Sequence, residues 1–421
     1  MNILVIGNGF DVAHGLPTKY QDFLEFVACF QHKFNKKNDT SSSSIFNDEK
    51  TQKKYEKHFE NMEDNRKEEF SELIDGNVWF DHFFNVYEEK LKNKQNWIDF
   101  EAEISNVIQE LDRIRKELKT IKEEKKETDG NIAHKINNSS SIIYKLPDKL
   151  IYKLPEQKNV YSEHRLNAIK NILINDLNRL TRCFELYLND YIKYDECTPL
   201  PVISSIRADY LINFNYTDTF IKVYSPKNEG SALNEDSPFD YIHGRIRNEK
   251  ELNQKAKDEL AKRIREDIKI ENNEKFKKDY KINTCNFVLG IEEYLEGNEK
   301  NKDNEYIEFK KFYQRIYKRT GTKYTNWLRN YAGNINTYIY GHSIATTDGD
   351  IINNLIEASN KTVIFYHTQE ALHDIILNLV QIIGEEKLIK YTSDVNKKIE
   401  FQSSKTIKLK LNTKLSVDMT F

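Results

Sequence analysis

The chain has 421 residues, room for two to three average domains, and it sets 64 Lys and Arg against 67 Asp and Glu for a formal net charge of −3. That balance leaves no single-sign field of the kind that grips nucleic acid or an anionic membrane surface. Its four cysteines, Cys29, Cys183, Cys197 and Cys285, form no C-x-x-C pair and stand at no zinc-finger spacing from histidine.

No basic segment precedes the first apolar run, which is too short for a signal peptide. No stretch reaches the ~20 apolar residues of a membrane span. The expectation is a soluble, cytoplasmic protein, and 24 Tyr and 23 Phe supply a core in spite of the polar average.

Met1–Ile6 reads as a buried strand that breaks at Gly7-Asn8-Gly9. A polar cluster follows with no helical apolar stripe: Asp11, His14, Gly15 and Pro17. Thr18 and Gln21 have the spacing of a capping box for a helix carrying Tyr20, Phe23, Leu24 and Val27. The next ~40 residues read as polar and ragged, with Ser41–Ser44 as a loop. A stronger helix starts near Asn96, with Trp97, Phe100, Ile104, Val107, Ile108 and Leu111 on one face. Glu101 falls inside that stripe and Asp99 points away. A charged continuation stops at Gly130, and residues 131–160 read as loop, with "IYKLP" at 143–147 and again at 151–155. Leu166 to Tyr194 is helical.

From Ala208 the texture changes to short strands that end in polar residues or glycine. These are "YLINF", "FDYIHG", "CNFVLGIEE", "INTYIYGHS" and "KTVIFYH". Residues 247–281 read as a charged helical excursion, and 305–333 as helical with Phe309, Phe312, Tyr313 and Ile316 in phase. The tail "KIEFQSSKTIKLKLN" alternates as a terminal hairpin does. Strands alternating with helices predict an open α/β sheet. The expected organisation is a discontinuous sheet domain (1–30 and 206–385), a mainly helical insertion (31–205), and a C-terminal hairpin or tail (386–421).

Open parallel sheets bind ligands outside their C-terminal strand ends. Here those ends carry Gly7-Asn8-Gly9, Asn213 and Asn215, His243-Gly244, Gly290, and Gly341-His342-Ser343. The first loop is shaped either for a nucleotide-like ligand or simply for a tight turn. Gly15 comes too late to complete G-x-G-x-x-G, which disfavours a hydride-transferring enzyme.

Taken in order, "GNGFDVAHGLPTKYQDF", "NWIDFE", "INFNYTDTF", "YIHG", "FVLGIEE" and "YIYGHSIATTDGDI" resemble the bacterial abortive-infection AbiH family. That resemblance implies anti-phage defence and a relationship to sirtuin-like NAD-binding domains, with a Rossmann-type parallel sheet. It places Gly7 and Gly9 on the phosphates, with Asn8 between them in place of a small residue. Gly15 and Pro17 would shape the turn over the nicotinamide ribose. Asn215 and His243 match the catalytic asparagine and histidine, and Gly341 and Ser343 the strand end that meets the dinucleotide. Asp11 stands where a small hydroxyl residue is usual and could stabilise an oxocarbenium-like cation. Thr217 replaces the aspartate after the asparagine. The zinc-binding cysteines of protein deacylases are absent, which leaves hydrolysis of NAD, or of a related nucleotide, as the enzymatic reading. No further cofactor and no metal is called for. A phage trigger, a defence partner protein and a homo-oligomer are the implied partners.

Each residue also has a plainer role. His243 could cap backbone groups, Asn215 could close its own turn, and Asp11 could cap the turn after it. His14 reads as a local hydrogen bonder, and His342 as strand-end packing. His367 follows the last apolar run and could sit near the adenine end. Glu101 lies on an apolar face, where a carboxylate needs a partner. Two rivals stand beside hydrolysis: a non-catalytic nucleotide-sensing module, and a metal-dependent nuclease or RNA-directed toxin built on Asp11, Glu101 and histidines.

Overall fold

The structure is a computed structural model describing residues 1–34, 49–125, 134–135, 160–161, 163–225, 238–292, 303–395 and 397–404. Its centre is a sheet of six parallel strands: β1 (Asn2–Ile6), β2 (Tyr210–Asn213), β3 (Phe239–Tyr241), β4 (Asn336–Tyr340), β5 (Lys361–Tyr366) and β6 (Ile399–Ser403). They lie in the order β3-β2-β1-β4-β5-β6, so the direction of winding reverses beside β1. A parallel sheet covered on both faces needs apolar side chains on both, which is why β1 reads as an unbroken apolar run. Ile3 and Val5 join one core with Ile212, Ile339 and Ile364. Leu4 and Ile6 join another with Leu211, Tyr241 and Phe365.

A third core belongs to the helices between β1 and β2. Phe23, Phe26, Trp79, Phe83, Phe100, Leu173 and Tyr187 meet there. The main helices of this layer are Tyr20–Phe34, Glu49–Glu60, Asp64–Ile74, Val78–Lys92, Phe100–Lys125 and Glu163–Tyr191. Three of them fall in the stretch that reads as ragged. In the first two the buried stripes are narrow (Tyr55 and Phe59; Phe70, Leu73 and Ile74) and charged residues dominate between them, whereas Val78–Lys92 buries a broad face that includes Trp79, Phe80, Phe83, Phe84 and Tyr87.

Other expectations also change. Asn8–Ala13 is helical directly after Gly7. The capping box does not form; the Thr18 hydroxyl donates instead to Asn8 Oδ1 at 2.8 Å. Residues 285–290 have no regular secondary structure and do not join the sheet, and Ile291 forms an isolated bridge with Lys310. Trp97 precedes its helix and is exposed. The helix Lys311–Lys318 buries Lys311, Gln314 and Arg315 and turns Phe312 and Ile316 outward, at 40% and 69% exposure. In the tail, β6 pairs in parallel with β5. The rest of the expected hairpin, the "IYKLP" pair and Gly130 lie outside the described residues.

Candidate functional site

Register decides which side chains meet. Ile6 of β1 lies opposite Asn213 of β2 and Tyr340 of β4, and Asn213 lies opposite Tyr241 of β3. The residues that follow therefore converge at one edge of the sheet: Gly7, Asn215, His243 and Gly341-His342. Gly9 N donates to Gly341 O at 2.7 Å. A Cβ on Gly7 would come within 2.8 Å of His342 Cα, and one on Gly9 within 2.8 Å of Gly341 Cα. The glycines after β1 and β4 thus let two loops lie backbone on backbone. Asn215 fastens the arrangement: its Nδ2 donates to Gly7 O at 2.9 Å, while Asn213 Oδ1 accepts from its backbone N. Asn8, Gly9 and Ser343 stay exposed above this seam. Gly15 turns with φ +78°, and Pro17 O accepts from the Tyr187 hydroxyl at 2.7 Å.

Asp11 is 1% exposed beside the same seam. Its Oδ2 accepts from the Thr217 hydroxyl at 2.6 Å, and Thr219 donates in turn to Thr217. Oδ1 is buried with no hydrogen-bond partner among the described residues. Burial outweighs the hydroxyl donors and pushes the carboxyl up to about 6. Thr217 is therefore the hydrogen-bond partner of Asp11 across the seam.

The strongest electrostatic cluster lies at the ends of β3 and β4. His243 Nε2 donates to Asp348 Oδ1 at 3.0 Å. Lys311 Nζ lies 3.1 Å from that oxygen and 2.8 Å from Glu101 Oε2. His342 Nε2 faces Asp348 Oδ2 at 3.7 Å, and the Phe214 ring packs against both imidazoles. Burial alone would raise Asp348, yet Lys311 and His243 hold it well below the usual carboxylate range. Burial would lower Lys311, yet Asp348 and Glu101 push it up to about 12. Burial pushes His342 down to about 4, so it is neutral near pH 7. Glu101 is raised by burial, with Lys311 opposing. The arrangement resembles an oriented base: a histidine held by one nitrogen on a permanent carboxylate. His243 Nδ1 has no hydrogen-bond partner among the described residues.

Of the sequence candidates, the fold brings Gly7, Gly9, Gly341 and Asn215 into one seam and His243 beside it. His14 is satisfied locally, donating from Nδ1 to Phe10 O at 2.7 Å and accepting from the Tyr224 hydroxyl at 2.9 Å. His367 is exposed at the end of β5. Asp348 and Lys311 are missing from the sequence candidates. A lysine inside "EFKKFYQRIY" gives no sign of burial, because the aromatic stripe beside it looks like the core.

Residues 3–368 match the family model for bacteriophage abortive infection AbiH. The chain belongs to the AbiH family. Its role is therefore in phage abortive infection. No match is found among curated proteins or among solved structures. Among the described residues of this AbiH protein, no helix is long and apolar enough to cross a membrane. Nor, among them, is any group of three or more His, Cys, Asp or Glu side chains placed to hold a metal ion.

Proposed function

We propose that this AbiH protein is a nucleotide hydrolase of sirtuin-like ancestry that cleaves NAD, or a related nucleotide, at the nicotinamide–ribose bond during infection. The observation that carries the reading is His243, held through Nε2 on Asp348 with Nδ1 left over as a base. In the reaction, water attacks C1′ of the ribose and its proton passes to His243 Nδ1. The C1′–N bond breaks with its electron pair going to the nicotinamide nitrogen, so neutral nicotinamide leaves. General-base help of this kind is worth roughly 10²–10⁴-fold. Asp11, ionised above about pH 6, supplies negative charge for the oxocarbenium-like state. His243 is only 6% exposed, so the loops after β1 and β4 must part to admit a substrate. A defence enzyme that stays closed until infection has such a site.

A second reading, nucleotide sensing without turnover, draws support from Asn215. One hydrogen of its amide is already committed to Gly7 O, which ties the side chain to the backbone of the seam in this closed form. The deciding experiment mixes purified protein with NAD and follows nicotinamide and ADP-ribose by chromatography, wild type beside His243→Ala. Release by wild type alone supports hydrolysis. NAD binding without release supports sensing, and no binding removes both.

A further inference from the structure

Asp348 collects donors from three separate parts of the fold. His243 follows β3, His342 follows β4, and Lys311 opens the helix Lys311–Lys318. A fourth group, Glu101, arrives from the helical layer between β1 and β2. It sits at the start of the helix Phe100–Lys125 and shares the Lys311 ammonium. Thr347 adds a hydroxyl contact to the same ammonium at 3.0 Å.

The turn after β4 serves the same carboxylate. Ile344 has φ +54°, a region that β-branched residues avoid. In that conformation Ile344 N donates to His342 Nδ1 at 2.8 Å. His342 Nδ1 is thereby an acceptor, which leaves its proton on Nε2, the nitrogen facing Asp348. A strained backbone held in place to direct one imidazole is the kind of outlier that marks a working site.

We propose that Lys311 and Glu101 are positioning residues for His243: the Lys311 ammonium keeps Asp348 ionised and so fixes the His243 tautomer, and Glu101 tunes that ammonium from the helical layer. The inference rests on His243 being the base. Neither residue need touch substrate. The arrangement gives the helical layer a direct electrostatic hand on the sheet site, because moving Glu101 by a few ångströms changes the charge that His243 faces. The other ionisable groups in reach are Asp99 ahead of the same helix, Tyr20 on the helix Tyr20–Phe34, and Tyr216 after β2. None of them contacts Asp348 by a hydrogen bond or ion pair among the described residues.

The two residues carry opposite charge, so their removal acts in opposite directions on His243. Lys311→Met leaves two carboxylates facing the imidazole and favours the imidazolium. Glu101→Gln leaves the ammonium with Asp348 as its one remaining carboxylate partner and favours the neutral ring. A merely structural role moves both variants the same way.

The test uses the full chain with ¹⁵N-labelled histidine, whose nitrogen shifts report tautomer and charge, over about pH 5.5 to 8.5. His243→Gln assigns the signal. In wild type, neutral His243 carries its proton on Nε2. Lys311→Met should move the ionisation equilibrium about tenfold toward imidazolium, and Glu101→Gln about tenfold away from it. Lys311→Arg should restore the wild-type position. Shifts in one direction for both variants, no shift in Glu101→Gln, or a wild-type proton on Nδ1 would overturn the inference. If Lys311→Met does not fold, Glu101→Gln and Lys311→Arg decide alone. Nicotinamide release measured on the same samples separates the two ideas. The opposed shifts without any release leave the positioning network standing and remove the hydrolase reading.

Discussion

Asp11→Asn tests the physical account of the site most directly. The Asp11 carboxyl is raised from 3.8 to about 6, chiefly by burial. Between those pH values the folded chain keeps a proton that the unfolded chain has released. Each step up in pH therefore favours the unfolded state until both forms are ionised, above about pH 6. At ~1.4 kcal/mol per pH unit, the difference costs the native chain about 3 kcal/mol at neutral pH. Asparagine keeps an oxygen for the Thr217 hydroxyl and carries no charge to bury. Its amide takes the place of the unpartnered Oδ1, and leaving that donor unsatisfied costs about 1 kcal/mol. The expected net gain is about 2 kcal/mol at pH 7.5, shrinking as pH falls from about 6 toward 3.8, because below that window Asp11 is neutral in both the folded and the unfolded chain. If the whole chain unfolds together, that gain raises Tm by about 2 °C. Thermal melts of both proteins at matched pH values across about 4.5 to 8 read it. A difference between the two proteins that stays constant with pH, or wild type the more stable at pH 8, would refute the burial argument. A gain in stability bought at the loss of nicotinamide release would fit a carboxylate kept for function.

Three further outcomes follow from the same geometry. Gly341 sits at φ +67°, and a Cβ there runs into the backbone of Gly9 and Phe10. Gly341→Ala should cost about 2 kcal/mol or more, read as a lower urea midpoint, whereas Ser343→Ala on the exposed side should cost almost nothing. Arg182 is fully buried among Glu69, Glu185 and Glu249, at 2.7 to 2.9 Å. Arg182→Met should destabilise by about 3 kcal/mol because it removes the central cation of a buried ion-pair network and leaves three carboxylates to Arg66 and Arg247, and a melt as high as wild type would contradict that. Arg207 ends the helix Pro201–Ile206 in the left-handed region at φ +47°. Arg207→Gly should therefore stabilise by about 1 kcal/mol, visible as a small rise in Tm.

How much of this was legible depended on whether the signal was local. The strands "NILVI", "YLIN" and "KTVIFY" are apolar on both faces because a parallel sheet buries both, so each is visible in a window of four to six residues. The segment "CNFVLG" has the same texture but earns its burial differently. Phe287, Val288 and Leu289 are buried, and Val288 N donates to His243 O. It packs as an irregular connector beside the site, and period and composition do not distinguish that from a strand. The helices from Glu49 to Lys92 escaped notice for the opposite reason. One or two buried aromatic residues suffice in Glu49–Glu60 and Asp64–Ile74, and five in Val78–Lys92 run together without a clean stripe; they share one core with Phe23, Phe26 and Phe100, and that core is visible only once the helices are assembled.

The site divides along the same line. Gly7, Gly9, Asn215 and His243 could be picked out because glycine, asparagine and histidine at strand ends are unusual choices on their own. Their partners are ordinary charged residues whose meaning comes from distant pairing. Glu101 gave half a signal, a carboxylate inside an apolar stripe that demanded a counter-charge without naming it. The answer lies 210 positions away in Lys311, on a helix that reads backwards. Phe312 and Ile316 look like its core face, yet they point outward, because the inward face must carry the ammonium that Glu101 and Asp348 require. An inverted helix beside a lone buried carboxylate is thus one observation seen from two ends. Burying Lys311, Gln314 and Arg315 in place of the aromatics gives up hydrophobic stabilisation. That loss is understandable if the cluster around Asp348 is selected for what it does to His243 and not for the stability of the fold.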